Sequence, residues 1–329
     1  MNSVFVNIPK GFRNDSFITD NVKGTLEKYT KVKYNTTEKP LFGEELKTAL
    51  KGCDAVITGW GQPKIFPSDM ADAKLIVHTG GTVGGIVDLS VFDTDITVLS
   101  GNSFYAESVA EGVISYMLFA LRKMGYYSKS VKDGRWTWEA HTEGLLGQKI
   151  GIISLGAISK KLIPMLRLFT NDIKVYSTHP NPQTAKEMGF TYAELDEIFK
   201  TCKIVSVHTA KNSETFHMIN EHHFDLLQDG ALFINTSRGA VIDEAALCKA
   251  LKKNRFTALL DVYESEPPEK GNPLFTLENA ILFPHMAGPT YDRREKITLA
   301  LIEDMIRFFE GKQPENIVTK KVAEKMTIA

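Results

Sequence analysis

Short apolar runs alternate with segments of helical periodicity through the first hundred residues of the chain. Four runs rich in Val and Ile predict buried strands at 4–8, 55–58, 75–78 and 96–99. The spacing of apolar positions between them predicts helices over 17–29 and 44–50. Strands that alternate with helices are typical of a parallel sheet covered on both faces, and therefore of the α/β class.

The middle of the chain interrupts this alternation. A mostly apolar helix is predicted over 110–122 and a polar, irregular segment over 123–147. The predicted helix is too short to span a bilayer, so burial in a core or an interface is the favoured interpretation.

The alternation of strands and helices resumes near residue 149. Six further strands are predicted, at 149–154, 173–177, 204–207, 231–235, 257–260 and 280–283. Helices are predicted over 157–169 and over 243–253, where Asp243 can cap the N-terminus. A final helix over 292–310 carries an apolar stripe of Ile297, Leu301, Met305 and Phe308. The pattern therefore predicts a second α/β unit.

Composition narrows the possible functions. A chain of 329 residues suggests two domains, at roughly 100–200 residues each. The net charge of −1 gives no electrostatic case for a nucleic-acid or membrane partner. Three scattered cysteines without metal-ligand spacing indicate neither a zinc site nor a disulfide framework, so no metal is expected. The first residues show no secretory signal, and the cytoplasm is the expected compartment.

One strand-to-helix turn, within 149–162, could hold a dinucleotide. Its free helical N–H groups would face a pyrophosphate. The fingerprint GxGxxG falls on Ser154, Gly156 and Ser159, so only the middle glycine is present. Ser154 would have to adopt the tight turn without the conformational freedom of glycine. The motif alone leaves two interpretations open, a cofactor turn or an ordinary strand–helix connection.

The coenzyme's ribose should be contacted at the end of the next strand. An Asp or Glu is expected there for NAD, but the segment 175–180 contains neither. His179 occupies the position, with Ser177 and Thr178 as further candidates for a phosphate contact. Since no Arg follows, the sequence leaves the choice between NAD and NADP open.

Three later segments each begin as an apolar strand and end in a polar turn, at 234–243, 259–268 and 281–290. They supply Arg238, Glu266 and His285 in that order. Ligands collect at such strand ends in open parallel sheets. Each residue alone has an ordinary structural interpretation: a surface arginine, a turn carboxylate and a structural histidine. The ordered set favours catalysis.

These three residue types can bind an anion and exchange a proton. The planar guanidinium of Arg238 can hold a carboxylate at two points and polarise a neighbouring oxygen. His285 can exchange a proton because its intrinsic pKa lies near neutrality. Glu266 would orient the imidazole and favour its protonated form.

With these motifs the chain resembles the D-isomer-specific 2-hydroxyacid dehydrogenases, the phosphoglycerate, hydroxypyruvate and glyoxylate reductase-like family, over nearly its whole length. Further matching positions are Gly134, Trp136, His208 and 313–318. The resemblance implies two Rossmann-like or flavodoxin-like α/β domains with parallel sheets and an active site in the cleft between them. A discontinuous substrate-binding domain (1–101 and 291–329) would surround an NAD(P)-binding domain (102–290). It also implies a homodimer.

The resemblance assigns further contacts by position. Asp261 would lie near the nicotinamide carboxamide. The cofactor contacts would be Gly156, Ala157, Ile158, His179, His208, Thr209, Ala210, Thr236, Ser237, Arg238, Asp261, His285 and Gly288. Substrate contacts would come from Gly81, Thr82, Val83, Tyr105, Arg238 and His285, the loop at 81–84 through its backbone N–H groups.

Several positions depart from the family pattern. Val83 stands where the family usually has glycine, Tyr105 where a smaller Asn or Ser is common, and Ala210 where proline is usual. Trp60 and Tyr105 could line a pocket or simply pack. These departures put the identity of the acid in doubt more than the reaction class. For His217, His222 and His223 solvent exposure is expected.

The expected function is therefore NAD(P)-dependent interconversion of a small D-2-hydroxy acid and its 2-oxo acid by hydride transfer at C2. The alternative is a nucleotide-sensing, corepressor-like protein on the same scaffold, which would not need a proton relay. A formate dehydrogenase is disfavoured, because those relatives carry Gln where Glu266 stands.

Overall fold

The computed structural model describes residues 1–9, 11, 15–138 and 141–326. The chain divides into two compact units, one formed by Met1–Tyr105 with Pro289–Ala329 and the other by Ala106–Gly288. Each unit is built on one parallel sheet flanked by helices, and this confirms the predicted α/β class.

The first unit contains a five-stranded sheet. Its strands, in chain order, are β1 (Ser3–Val6), β2 (Lys31–Tyr34), β3 (Ala55–Thr58), β4 (Leu75–His78) and β5 (Thr97–Ser100). They lie in the order β2-β1-β3-β4-β5, and every pair is parallel. Its helices are α1 (Asp20–Tyr29), α2 (Gly43–Ala49) and, from the C-terminal part of the chain, α10 (Tyr291–Phe309) and α11 (Lys320–Ala323).

Alternation along β1 explains why both faces of this sheet are covered. Val4 and Val6 belong to a core cluster with α1 and α10, whereas Phe5 belongs to a cluster with α2. The predicted stripe of the last helix is confirmed in part, since Ile297, Leu301 and Met305 are buried. The fourth member of the stripe, Phe308, is only partly buried.

The second unit contains a seven-stranded parallel sheet in the order β12-β11-β10-β9-β6-β7-β8. Its strands, in chain order, are β6 (Ile150–Ile153), β7 (Ile173–Tyr176), β8 (Thr191–Tyr192), β9 (Ile204–Val207), β10 (Leu232–Asn235), β11 (Thr257–Leu260) and β12 (Ala280–Leu282). The strand order reverses between β6 and β9, which pair directly. Ligands of doubly wound sheets bind beyond the carboxyl ends of the strands at such a switch point.

The helices of the middle and second part of the chain include several that the pattern did not predict. They are α3 (Asn102–Leu121), α4 (Met124–Lys132), α5 (Ala157–Leu166), α6 (Pro182–Met188), α7 (Leu195–Thr201), α8 (Glu221–Leu226) and α9 (Glu244–Leu251). The prediction of an irregular segment over 123–147 was wrong where α4 forms. The predicted N-cap of α9 is confirmed, because the Asp243 side chain accepts a hydrogen bond from the Ala246 N–H.

The helix predicted over 110–122 is longer than expected. As α3 it begins at Asn102 and has 20 residues. Within the described part of the chain it alone is long and apolar enough to cross a membrane, by length and composition only. Core helices of water-soluble proteins can have the same length and apolar composition.

Candidate active site

Arg238 lies in a tight turn that follows β10. The side chain of Asn235 organises this turn: its Oδ1 accepts from the Ser237 N–H at 3.0 Å and the Ser237 hydroxyl at 2.7 Å. Its Nδ2 donates to the Arg238 carbonyl at 3.1 Å. The guanidinium donates to the Ser237 carbonyl at 2.7 Å, and among the described residues it forms no ion pair. The remaining N–H groups are thus available to a ligand.

Burial and a nearby carboxylate shift the pKa of Arg238 in opposite directions. Burial lowers the pKa of the guanidinium, and the charge of Glu266 opposes that shift. The group remains a cation at any physiological pH. A partly desolvated cation without an ion-pair partner attracts an anionic ligand strongly.

Glu266 and His285 form a hydrogen-bonded pair. The Nδ1 atom of His285 lies 2.6 Å from Oε2 of Glu266, and Oε1 accepts from the Tyr263 N–H at 3.1 Å. His285 is about half exposed, with 46% of its side chain accessible. With Nδ1 donating to the carboxylate, Nε2 is left to exchange a proton with a substrate.

The pKa of Glu266 lies below its usual value. Burial alone would raise it, but the hydrogen bonds from His285 and the Tyr263 N–H, with the charges of His285 and Arg238, together lower it. The carboxylate is therefore ionised at neutral pH and is a strong acceptor for the hydrogen bond from the imidazole.

The segment that carries His285 is fixed by Asp261, at the end of β11. The Asp261 carboxylate is buried and accepts from the Met286 N–H at 2.8 Å and the Ala287 N–H at 2.9 Å. It also accepts from the Tyr116 hydroxyl at 2.9 Å. His285 itself has a φ of +52°, a left-handed conformation that costs a non-glycine residue roughly 1–2 kcal/mol. Such strain persists only where the surroundings hold it.

The structure thus brings together the three residues singled out by the sequence. Glu266 bonds directly to His285 and interacts electrostatically with Arg238. A partly buried guanidinium therefore lies near a hydrogen-bonded carboxylate and imidazole. This arrangement can bind a carboxylate and move a proton at a neighbouring oxygen.

The stability of the Glu266–His285 pair should depend on pH. Because the folded pKa of Glu266 lies below the ordinary 4.5, its contribution is present above that value and is lost as the pH falls through the folded pKa. Glu266→Gln should therefore lower the Tm at pH 7 and lose this effect towards pH 3. The difference should stay below about 1 kcal/mol, because the carboxylate is more than one third exposed.

Thermal unfolding of the wild type and of Glu266→Gln, in matched buffers from pH 7 down to pH 3, measures this difference in Tm. The interpretation fails if the gap in Tm stays constant, or widens, as the solution is acidified.

The strand-to-helix turn after β6 has the geometry of a phosphate site. Gly156 precedes α5 and supplies no side-chain cap, so the first N–H groups of the helix, at Ala157 and Ile158, stay open. A Cβ added at Gly156 would meet only the His208 carbonyl, at 4.0 Å. Open N–H groups beside open space fit a pyrophosphate.

The two serines that replace fingerprint glycines are joined by a hydrogen bond. Ser154 has a φ of +81°, the conformation for which glycine is usually required. The buried Ser159 hydroxyl donates to the Ser154 carbonyl at 2.6 Å. This hydrogen bond offsets part of the strain and lets the turn form without either glycine.

Two buried polar atoms at the neighbouring strand ends have no hydrogen-bond partner among the described residues. They are Nδ1 of His208, after β9, and the hydroxyl of Thr236, after β10. Burial lowers the pKa of His208 to about 3, so the imidazole is neutral. Buried polar atoms are usually hydrogen-bonded, and these two suit the polar groups of a bound dinucleotide. Of the other predicted contacts, Thr209, Ala210 and Gly288 are partly exposed and Ser237 is buried.

The predicted ribose contact, His179, is exposed beyond β7. Its Nδ1 lies 2.9 Å from the Thr178 hydroxyl, and its N–H donates to the Ser177 hydroxyl at 3.2 Å. These contacts stiffen a small polar turn without a carboxylate. The turn lacks the negative charge that would repel a 2′-phosphate.

The predicted substrate loop lies in the first unit, next to Tyr105. A Cβ on Gly81 would lie 3.0 Å from the Tyr105 side chain, so a larger residue at this position would require Tyr105 to shift. The Gly84 N–H donates to the Thr82 hydroxyl at 3.3 Å, and the Val83 N–H donates to Met326 Sδ at 3.4 Å. Two of the four N–H groups of the loop therefore have partners within this unit, and the contact of the loop with a substrate carboxylate stays a prediction.

Trp60 contacts both Tyr105 and His78. The sequence left open whether Trp60 and Tyr105 line a pocket or simply pack. Trp60 Nε1 donates to the Tyr105 hydroxyl at 3.0 Å, and the Trp60 ring meets His78 edge-on at 6.0 Å. His78 is fully buried, which lowers its pKa to about 3, and its Nε2 atom has no hydrogen-bond partner within the part of the chain that the structure describes. No motif pointed to His78, because a histidine inside an apolar strand run gives no signal.

The expectation of solvent exposure was wrong for His223 and is met only in part by His217, which is partly buried. His223 is buried against Phe199, and its ring caps α8 through the Asn220 N–H. Burial lowers its pKa. His222 is exposed beside Asp196, and His217 pairs with Glu264 at 2.7 Å. Within the described ranges, no group of three or more His, Cys, Asp or Glu side chains could hold a metal ion.

Comparison with known proteins assigns the second unit. Residues 114–287 match the D-isomer specific 2-hydroxyacid dehydrogenase, NAD binding domain. A glyoxylate reductase of Thermococcus litoralis is 33% identical over 225 residues, which are 66% of this chain and 68% of that protein. A D-3-phosphoglycerate dehydrogenase of Archaeoglobus fulgidus is 29% identical over 74% of this chain but only 47% of its own length. The chain thus spans about half of that relative.

Among solved structures, a glyoxylate reductase of Paecilomyes thermophila superposes with a TM-score of 0.78. The alignment covers 97% of this chain and 99% of that one at 22% sequence identity, and it shows a shared fold. The two-sheet architecture of this chain is therefore a fold found in other proteins.

Proposed function

The chain belongs to the D-isomer specific 2-hydroxyacid dehydrogenases, a family of NAD-dependent oxidoreductases, and we propose that it interconverts a small D-2-hydroxy acid and its 2-oxo acid. The observation that carries this proposal is the 2.6 Å contact between His285 and Glu266 beside a partly buried Arg238.

In this proposal Arg238 binds the substrate carboxylate and polarises the C2 oxygen. A guanidinium without an ion pair among the described residues can offer two parallel donors to a carboxylate. His285 gives a proton to the C2 oxygen during reduction and takes it back during oxidation, through Nε2. Glu266 holds the imidazole and stabilises its charge, as the lowered pKa of the carboxylate supports.

The proposed coenzyme site lies beyond the carboxyl ends of the strands in the second unit. When bound, the nicotinamide coenzyme supplies the hydride to C2 or accepts it from there. The N–H groups at Ala157 and Ile158 would hold the pyrophosphate, and the unpartnered atoms of His208 and Thr236 would meet other polar groups of the coenzyme. The turn at Ser177–His179 lacks a carboxylate, so both NAD and NADP remain candidates.

Three finer assignments belong to the same proposal. The unit around Ala106–Gly288 would bind the coenzyme, and the other unit, with Gly81, Thr82, Val83 and Tyr105, would contact the acid. Pairing into a homodimer is part of the same proposal, with the incompletely buried apolar residues Val109, Ile114 and Leu118 of α3, which pack on the core of their own unit, as candidates for the interface. Three buried free thiols support a reducing compartment such as the cytoplasm.

A screen of 2-oxo acids with both coenzymes tests this function. Purified protein should oxidise NADH or NADPH in the presence of glyoxylate, hydroxypyruvate, pyruvate or phosphohydroxypyruvate, followed by the loss of coenzyme absorbance. Formate with the oxidised coenzyme should give no reaction, because Glu266 stands where formate dehydrogenases carry Gln. Tight coenzyme binding without turnover on any acid would instead support the nucleotide-sensing alternative, which none of the comparisons above favours.

A further inference from the structure

One face of α3 packs against the segment that follows His285. Gly112 and Tyr116 are four residues apart and therefore lie on the same side of this helix. A Cβ at Gly112 would stand 2.9 Å from the carbonyl oxygen of Ala287 and 3.3 Å from its Cα. The glycine thus lets the helix approach the backbone of this segment directly.

Tyr116 reaches the same segment through a carboxylate. Its ring is buried and stacks on Phe283, with centroids 4.6 Å apart and an angle of 11° between the planes. Its hydroxyl donates to Oδ1 of Asp261 at 2.9 Å. Burial raises the pKa of Tyr116, and the charge of Asp261 raises it further, so the hydroxyl keeps its proton and remains a donor.

The bond from Tyr116 completes a set of three donors on Asp261. The same oxygen, Oδ1, also accepts from the Met286 N–H, and Oδ2 accepts from the Ala287 N–H. A carboxylate at 1% exposure needs these donors, because a buried charge is costly unless it is hydrogen-bonded. Loss of the Tyr116 bond would therefore loosen the carboxylate that fixes the two residues after His285.

We propose that Tyr116 is a positioning residue for His285, and that Gly112 provides the close contact that makes this possible. Tyr116 touches neither the imidazole nor Glu266 in the contacts described above; it acts through Asp261 on the strained backbone that presents the imidazole. This inference rests on the proposed dehydrogenase function, since it assigns the device that aligns the proton-exchanging group.

The central test is Tyr116→Phe, which keeps the stacked ring and removes only the hydroxyl. We expect kcat to fall about tenfold, whereas the KM for the oxo acid changes less than about twofold, because Arg238 is untouched. The matched control is Tyr126→Phe on α4, an exposed tyrosine, which should behave as wild type. The Tm of each variant is measured alongside the kinetics.

Gly112→Ala perturbs the same segment from the other contact point and should lower kcat at least as much as Tyr116→Phe. If Tyr116→Phe did not fold, the same kinetic comparison on Gly112→Ala would decide. A lower Tm with unchanged kcat in the folded variants would show a purely structural role and overturn the proposal. If the wild type reduces no oxo acid, the proposed function itself fails. If the wild type reduces an oxo acid and Tyr116→Phe turns over at the same rate, this inference alone fails.

Discussion

Replacing His285 with alanine is expected to lower kcat by about 10²–10⁴-fold, the usual contribution of a positioned acid–base group. The imidazole is hydrogen-bonded to an ionised Glu266 and leaves Nε2 for the substrate oxygen. Without it, the developing charge on that oxygen must be neutralised by water. The coenzyme Kd should change little, because the pyrophosphate site at Gly156 lies on a different turn of the sheet.

Steady-state kinetics and a coenzyme fluorescence titration measure these two effects. His222→Ala is the matched control, since His222 is also exposed and also paired with a carboxylate, Asp196, but lies outside the site. An unaltered kcat in His285→Ala would remove the imidazole from the mechanism.

The second large effect is expected from Arg238→Lys. Lysine keeps the positive charge but loses the planar fork, so it cannot hold a carboxylate at two points and polarise the C2 oxygen. We expect kcat/KM for the oxo acid to fall about 10²-fold, comparable to the loss of one donor to a developing oxyanion. Both a higher KM and a lower kcat should contribute.

Arg307→Lys provides the control for this exchange. Arg307 pairs with Glu315 in the other unit and plays no part in the site. Kinetics of Arg238→Lys within about twofold of wild type would rule out the carboxylate clamp.

The buried strands were the most predictable part of the fold. A central strand of a parallel sheet is covered on both faces and is therefore mostly apolar, and Ala55–Thr58, Leu75–His78 and Ile204–Val207 are predicted with their observed bounds. The signal lies within each four-residue run, and no distant contact is needed to recognise it.

Elements at the edges of the units gave no such signal. Strand β2 reads KVKY and is only half buried, because it has a neighbour on one side alone. Helix α4 reads MGYYSKSVK and buries only Ser130, so no apolar stripe marks it. These elements form because the chain packs them against others, which a local pattern does not record.

The residues of the site also differ in whether the sequence could predict them. Arg238, Glu266 and His285 could be found because each follows an apolar strand and carries a chemically informative side chain. The contribution of Tyr116 was not predictable, since it comes from a helix distant in sequence and depends on its hydrogen bond to Asp261. The burial of His223 was missed for a similar reason, since Phe199 covers it from another helix.

Transfer of deuterium from the coenzyme tests the reaction at C2 most directly. The protein is given hydroxypyruvate and reduced coenzyme labelled with deuterium on the transferred side of nicotinamide C4, and the product is analysed by mass spectrometry and on a chiral column. The account predicts a single deuterium at C2 of the D-2-hydroxy acid in the wild type, and almost none in His285→Ala over the same time. A product of L configuration, or label that never reaches C2, would contradict it.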